Sequence, residues 1–342
     1  MKKTSLIIAT LFLVNTTFAQ QEAYDALLFS QPYYFSTARS AAMGGASGAL
    51  GSEMGAIAVN PAAIVTYKTN ELIFTPEFYR VESTTNYYDQ LNSRFKNGVN
   101  INNAGVVFAI QPRRSSTRYN IGFAYNKQNF FNANERINAP NVPSEESYIG
   151  QVAKMGNERD EQFVDDHKEL GDGKYLFNQD GTLYSALLGD IGQRAMYTTT
   201  GHVGEYALSF GANISEKIYL GASFIVRDSR KSFVAELNEE SVIDTDYRYS
   251  YNRMYNLSGL GFGGRVGILI LPIPEFSIGL SLQVPTFYSF TKRSEGKMIF
   301  PANSVYGNDS YPYEPENEIN YNLVTPLQLA LSLGYVFPEV AS

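Results

Sequence analysis

The sequence predicts an all-β protein, an antiparallel transmembrane β-barrel holding an N-terminal plug. Three observations carry that expectation. Apolar residues recur with a period of two in segments of bilayer-crossing length, the connections between these segments alternate between short and long, and an almost uncharged Gly/Ala-rich stretch precedes them all.

The first residues follow a separate logic. Lys2 and Lys3 form a positive start, Leu6 to Val14 an apolar core, and Thr17-Phe18-Ala19 supplies small residues for a cleavage site, so residues 1–19 read as a signal peptide cut after Ala19. That core is too short to span a bilayer as a helix, and nowhere after residue 19 is there a run of about 18 apolar residues. The mature chain is expected to be exported without helical spans. Removing Lys2 and Lys3 moves the formal charge from −7 to −9, which leaves no basic surplus for phosphates and argues against nucleic acid as a partner. The chain has no cysteine, which excludes disulfides, thiolate metal sites and cysteine catalysis. Aromatic residues make up 14%, as 25 Tyr and 22 Phe without Trp, a composition suited to barrel girdles.

The strands follow from parity. In 103–111, Ala104, Val106, Phe108 and Ile110 share one face, and Asn103, Gly105, Val107, Ala109 and Gln111 the other. The same division recurs at 119–126, 205–214, 218–227, 276–284 and 327–337, each close to the nine to eleven residues of a tilted transmembrane strand. Further strands are expected near 70–86 and 246–271, bringing the count to about eight to ten. A soluble β-sandwich also alternates, but its outer faces carry Lys, Glu, Arg and Thr. Here the weakly polar faces are Gly, Ala, Ser, Asn and Gln, which suits an enclosed lumen better than bulk water.

Residues 111–118, 214–217 and 271–275 make short connections, whereas long ones follow Gln128, fill 236–246 and occupy about 300–325. Short and long alternate as an up-and-down barrel requires. A further hairpin around Asp180-Gly181 is possible within the longest of them. The strands around 217–236 and 246–271 exceed the bilayer and are expected to project outside, placing Tyr247, Tyr249 and Tyr251 either at the upper interface or in ordinary strand packing.

Residues 43–63, MGGASGALGSEMGAIAVNPAA, fit neither pattern, since eleven of the twenty-one are Gly or Ala and Glu53 is the only charge. A linker would be richer in charge, Ser or Pro. Small uncharged residues instead suit a segment pressed against other backbone, so residues 20–68 are expected to fold as a plug within the barrel. Gly44, Gly45, Gly48, Gly51 and Gly55 permit close approach and positive φ, and Asn60-Pro61 fixes a turn. The stretch has neither the spacing nor the preceding strand of a phosphate loop.

The marks Ala38-Arg39, Met43-Gly44-Gly45-Ala46 and Asn60-Pro61-Ala62, together with a strand-turn-strand unit over 257–290 that includes Pro285-Thr286, resemble the FadL/TodX family of outer-membrane transporters in its Bacteroidetes form. The resemblance implies a barrel of fourteen strands over residues 69–342 with long extracellular loops, closed by an N-terminal hatch. It also implies passive uptake of hydrophobic compounds such as long-chain fatty acids across the Gram-negative outer membrane, by a monomer in contact with membrane lipid and lipopolysaccharide. By that resemblance Asn60, Pro61 and Ala62, with Gly44, Gly45 and Gly48, take a gating role. Barrels of the PorV type share the Ala-Arg and Asn-Pro-Ala opening but act as partners in a secretion system, and remain the alternative.

Eight strands are too few to enclose a fifty-residue plug, and the chain ends Phe337-Pro-Glu-Val-Ala-Ser342 without a terminal aromatic residue, so a C-terminally truncated barrel is expected. No catalytic constellation stands out, and neither an enzyme nor a cofactor is expected. His167 and His202 are the only histidines, too thin a basis for haem. The acidic run over 145–172 matches no calcium-loop spacing and reads as a solvated outer loop.

Overall fold

The computed structural model describes residues 21–31, 36–112, 117–148, 189–300 and 310–337. The signal peptide, His167, the Asp180-Gly181 hairpin, most of the acidic run, part of the 300–325 loop and the residues after 337 lie outside them. Eleven antiparallel strands form one sheet, a curled half-barrel: β1 (Glu71–Tyr87), β2 (Gln90–Ile110), β3 (Tyr119–Phe130), β4 (Ala133–Val142), β5 (Ile191–Ser215), β6 (Ile218–Ser241), β7 (Arg248–Ile273), β8 (Phe276–Gln283), β9 (Phe287–Ile299), β10 (Ser310–Val324) and β11 (Gln328–Tyr335). Before them come three short helices, α1 (Gln21–Ser30), α2 (Ala38–Ala42) and α3 (Met54–Val59), and a 3-10 turn over Pro61–Thr66. Among the described residues no helix is long and apolar enough to cross a membrane.

The strand count of about eight to ten becomes eleven for a local reason. β3 and β4 both pair with β5, along His202–Ala212 and Ile191–Thr199 respectively. Likewise β8 and β9 share β7, and pair in turn with β11 and β10. Eight long ribbons therefore run side by side, three of them interrupted once. Proline explains two of the breaks, because Pro285 and Pro326 have no N–H to give to a ladder. There the ribbons are held by Thr286 N donating to Thr325 Oγ1 at 2.9 Å and Thr325 N to Thr286 O at 3.1 Å. The third break, at Phe131-Asn132, sits opposite Gly201, whose carbonyl accepts from Phe131 N at 2.9 Å.

Short connections gather at one end of the ribbons, where Glu216-Lys217 and Pro274-Glu275 are two-residue turns. The opposite end departs from the expected run of long loops: β1 and β2 zip together as far as a two-residue turn at Tyr88-Asp89, both at positive φ, as a primed hairpin turn requires. Among the described residues β1 pairs only with β2, and β11 only with β8, so the ribbon order has two ends.

The faces follow the pleat. Outward, Leu72, Phe74 and Phe78 on β1, Phe108 and Ile110 on β2, Phe210 and Ile214 on β5, Leu260, Phe262 and Val266 on β7, and Leu329, Leu331 and Leu333 on β11 are all exposed, Leu72 to 83% and Phe78 to 80%. Over Ile218–Val226 and Leu260–Ile270 the outward positions carry no charge, and the charges on that face begin above them, with Asp228, Arg230 and Arg194. Inward positions at the same level are buried beneath the N-terminal segment. Tyr249 and Tyr251 are on this inner side, Tyr251 stacked on Tyr148 with centroids 4.2 Å apart, because their odd parity on β7 is that of Arg265, Gly267 and Leu269. Of the two settings open to them, strand packing is the one found.

Candidate functional site

The candidate site is the inner face of the sheet with the segment seated on it. Glycines on successive ribbons make room for that segment. A Cβ added at Gly105 or Gly122 would press on Met54 or Ile64, at Gly211 on Val65, and at Gly221 on the backbone of Pro61 and Ala62. At Gly267 it would strike Asn60, and at Gly279 the carbonyl of Gly48. Six ribbons thus touch the segment where a side chain is missing: at Gly221 and Gly279 backbone packs on backbone, and at the other four a side chain of the segment takes the space. Met54, Ala56, Ile57, Ala62, Ala63, Ile64, Val65 and Tyr67 form one buried apolar cluster with Val107, Ala124, Tyr219 and Leu269 of the sheet.

Polar bonds fix the register of the segment on the wall. Asn60 caps the 3-10 turn by accepting from Ala62 N at 3.1 Å, while its Nδ2 donates to Gly48 O at 3.2 Å and to Ile268 O on β7 at 3.0 Å. Proline at the next position suits the first turn, where its missing N–H costs nothing. Asn120 on β3 donates to the carbonyls of Ile64 at 2.6 Å and Tyr67 at 3.0 Å, and Asn102 on β2 to Ser36 O at 3.1 Å. Within the segment, Glu53 caps α3 through Ala56 N at 2.8 Å and accepts from the Thr37 hydroxyl, joining α2 to α3. Ser52, at positive φ, bonds Thr66 through its N–H at 2.5 Å and donates its hydroxyl to Thr66 O at 2.9 Å.

Of the residues singled out in the sequence, Gly48, Asn60, Pro61 and Ala62 meet at the wall, against β6, β7 and β8. Gly44 and Gly45 do not. They turn the chain after α2 at positive φ, and a Cβ on Gly44 would meet nothing within 4 Å, so their role there is conformational. His202 is on β5 opposite Arg230, and among the described residues no group of three or more His, Asp or Glu side chains could hold a metal.

Beyond the segment, toward the end opposite the short turns, the inner face carries buried charges that sequence reasoning did not single out. Glu205 on β5, fully buried, stands directly opposite Arg227 on β6, whose Nε and Nη2 approach its Oε2 at 3.1 and 2.9 Å. Arg265 on β7 comes to 3.6 Å from the same oxygen and donates to Gln283 Oε1 at 2.6 and 3.1 Å, while Arg227 Nη1 donates to Thr286 at 3.2 Å. Two guanidinium groups thus share one carboxylate. Buried charges are costly unless paired, which makes this ionic cluster on the inner face a candidate site.

Next to these arginines is a gap of about 20 Å³, room for a single water, lined also by Leu28, Phe29, Tyr288 and Gln328. Phe29 of α1 fills the rest: its ring is 4.7 Å from Phe290, 5.9 Å from Tyr288 and 6.0 Å from Phe131, over Val203, Leu257 and Leu323. Parity could have flagged the arginines and Glu205 as inward charges on otherwise uncharged faces. Phe29 carries no comparable signal in the sequence.

The fold and this site define a class: a two-faced antiparallel β wall, apolar outside, with its own N-terminal chain seated on an inner face of small and polar residues. No protein-family model and no curated protein matches the chain. Among solved structures, the toluene transporter TodX of Pseudomonas putida is similar, with a TM-score of 0.47 and 15% identity over 88% of this chain and 66% of that one. The chain thus spans a little under two thirds of the length of that structure.

Proposed function

We propose that this protein is an outer-membrane transporter for hydrophobic compounds such as long-chain fatty acids, with residues 20–68 as its hatch. The observation that carries the reading is the two-sidedness of the wall. Its outward positions form an uncharged apolar band over nine to eleven residues per strand, as at Ile218–Val226 and Leu260–Ile270, the length that a tilted strand needs to cross a bilayer. The signal-peptide pattern of residues 1–19 and the short turns gathered at one end support export and an orientation with that end in the periplasm.

The inner face suggests how a ligand is held. An apolar body would replace Phe29 against Phe131, Val203, Leu257, Tyr288 and Phe290, and an anionic head would meet the guanidinium groups of Arg227 and Arg265. Entry requires α1 to withdraw, and passage beyond requires the Gly48 and Asn60 contacts to loosen. Gating of this kind is a shift between two packings of one segment on one wall.

Uptake of a radiolabelled long-chain fatty acid by cells lacking the gene tests the reading. Wild type is expected to restore uptake, Arg227→Met to lower it, and Phe29→Ala to raise the initial rate. Equal uptake with and without the gene would overturn it. Co-purification of secreted proteins with a chain that carries no lipid would point to the secretion-partner alternative instead.

A further inference from the structure

We infer that the pocket filled by Phe29 is built for one aromatic ring carrying a short anionic arm, that is, for an arylalkanoic acid. The inference rests on the transport reading above and narrows its ligand from hydrophobic compounds at large to this class.

The pocket is a box of rings. Phe290 stands nearest to the Phe29 ring, 4.7 Å away and tilted by 36°, Tyr288 is 5.9 Å away at 45°, and Phe131 meets it edge-on at 6.0 Å and 84°. Tilted and edge-to-face arrangements at these distances are the ones that ring quadrupoles favour, and an alkyl chain in the same place gains nothing from them.

Two of the walls are set by the sheet itself. Phe290 and Tyr288 on β9 stand directly opposite Gly259 and Gly261 on β7, and a Cβ at either glycine would run into the ring across from it. With no side chain there, both rings lie over the neighbouring strand, stacked on each other at 5.1 Å and 14° and almost wholly buried. Glycine weakens a strand interior, so its use opposite two aromatic residues is explained by where it lets their rings rest.

The resident ring is lightly held. Of the described side chains of α1 only that of Phe29 is buried, Leu27 being 60% exposed, and Gln328 Nε2 reaches Ser30 O at 3.3 Å, just beyond the usual hydrogen-bond range. A short helix held mainly by one ring is open to displacement by a free molecule that offers the same ring. Beside the box, Arg227 and Arg265 line the gap of about 20 Å³ together with Phe29, Ser30 and Tyr288. Withdrawal of Phe29 and Ser30 joins that gap to the space of the ring, so a carboxylate on a short arm reaches the guanidinium groups while its ring stays in the box. Guanidinium and carboxylate match in forked geometry.

The test uses the purified full chain held in amphipol, so that no free detergent competes, and two acids of equal carbon number, 3-phenylpropionate and nonanoate. Isothermal titration calorimetry on Phe29→Ala, which vacates the box, is expected to show 3-phenylpropionate binding about tenfold tighter than nonanoate, the yield of three modest ring contacts. Adding Arg227→Met should bring the affinity for 3-phenylpropionate down to that for the neutral 3-phenylpropanol. As these changes touch buried residues, a second measurement leaves every other side chain in place: 4-fluorophenylalanine substituted for Phe29 reports by fluorine NMR whether the ring has left the box. Addition of 3-phenylpropionate is expected to move that signal, and nonanoate at the same concentration to leave it. Nonanoate binding as tightly as 3-phenylpropionate, or a fluorine signal that 3-phenylpropionate does not move, would overturn the inference. Its failure leaves the transport reading in place as long as fatty-acid uptake depends on the gene, whereas equal uptake with and without the gene removes both.

Discussion

The lower and upper parts of the same sheet solve one packing problem in opposite ways. Near the short turns, Gly, Ser, Ala and Asn predominate among the inner positions, with Val107, Tyr219 and Leu269 between them, and a separate stretch of chain, Ser36–Tyr67, fills the space. Toward the opposite end, the strands fill it themselves: Tyr197 stacks toward Phe233 and Phe233 on Tyr255, with Lys231 and Lys292 over the Tyr255 ring. Alternation is the same in both, so it is side-chain size on the inner face that decides whether a strand accepts a partner or excludes it. Between the two levels lies the Glu205, Arg227 and Arg265 cluster.

That boundary is where the comparison can be broken most sharply. Glu205→Ala leaves two arginines buried without their carboxylate and should cost about 3–5 kcal/mol in denaturant unfolding. A change near zero would mean that water already solvates the cluster. Below it, Gly221→Ala forces a methyl into the backbone of Pro61 and Ala62, and a loss of about 3 kcal/mol is expected, with protease cleavage appearing within residues 36–67. Above it, on the outward face, Gly192→Ala serves as the control: its added carbon comes no nearer than 3.6 Å to the atoms around it, so stability should stay within about 0.5 kcal/mol.

Asn60→Ala sharpens the same contrast from the side of the segment. It strips the carbonyls of Gly48 and Ile268 of a donor and should cost about 2 kcal/mol, read as a fall in the unfolding midpoint. The smallest effect is expected at the tips. There Glu239 is buried, accepting from Gln193, from the Tyr249 hydroxyl and from Tyr148 N at 3.0 Å, and burial pushes its carboxyl above the usual carboxylate range despite these donors. A carboxyl raised in the folded state stabilises fully below its unfolded value of about 4.3 and loses that contribution as pH rises through the folded value. Protection of the Tyr148 amide from hydrogen exchange should therefore weaken as pH rises over that window, after correction for the intrinsic rate, and Glu239→Gln should flatten the profile.

Much of this was legible from parity. Once Ile218, Leu220, Ala222, Phe224 and Val226 are assigned to one face, Tyr219, Gly221, Ser223, Ile225 and Arg227 must share the other, and the structure keeps both sets intact. The glycine-rich and alanine-rich composition of 43–63 likewise pointed to close backbone contact. What parity could not tell was the height of a residue relative to the neighbouring ribbon. Tyr249 and Tyr251 read equally well as an outer girdle or as packing until β7 was registered against β6 and β9.

The sequence by itself determined which side chains share a face and where small residues leave room, because the period of two is a property of one strand and needs no partner. Only the tertiary structure decided that Glu205 faces Arg227, that glycines from six ribbons line up under a single segment, and that Phe29 comes to rest beside two arginines. Those facts depend on register and on the bulges and breaks that shift it, which are set by hydrogen bonds between residues far apart in the chain.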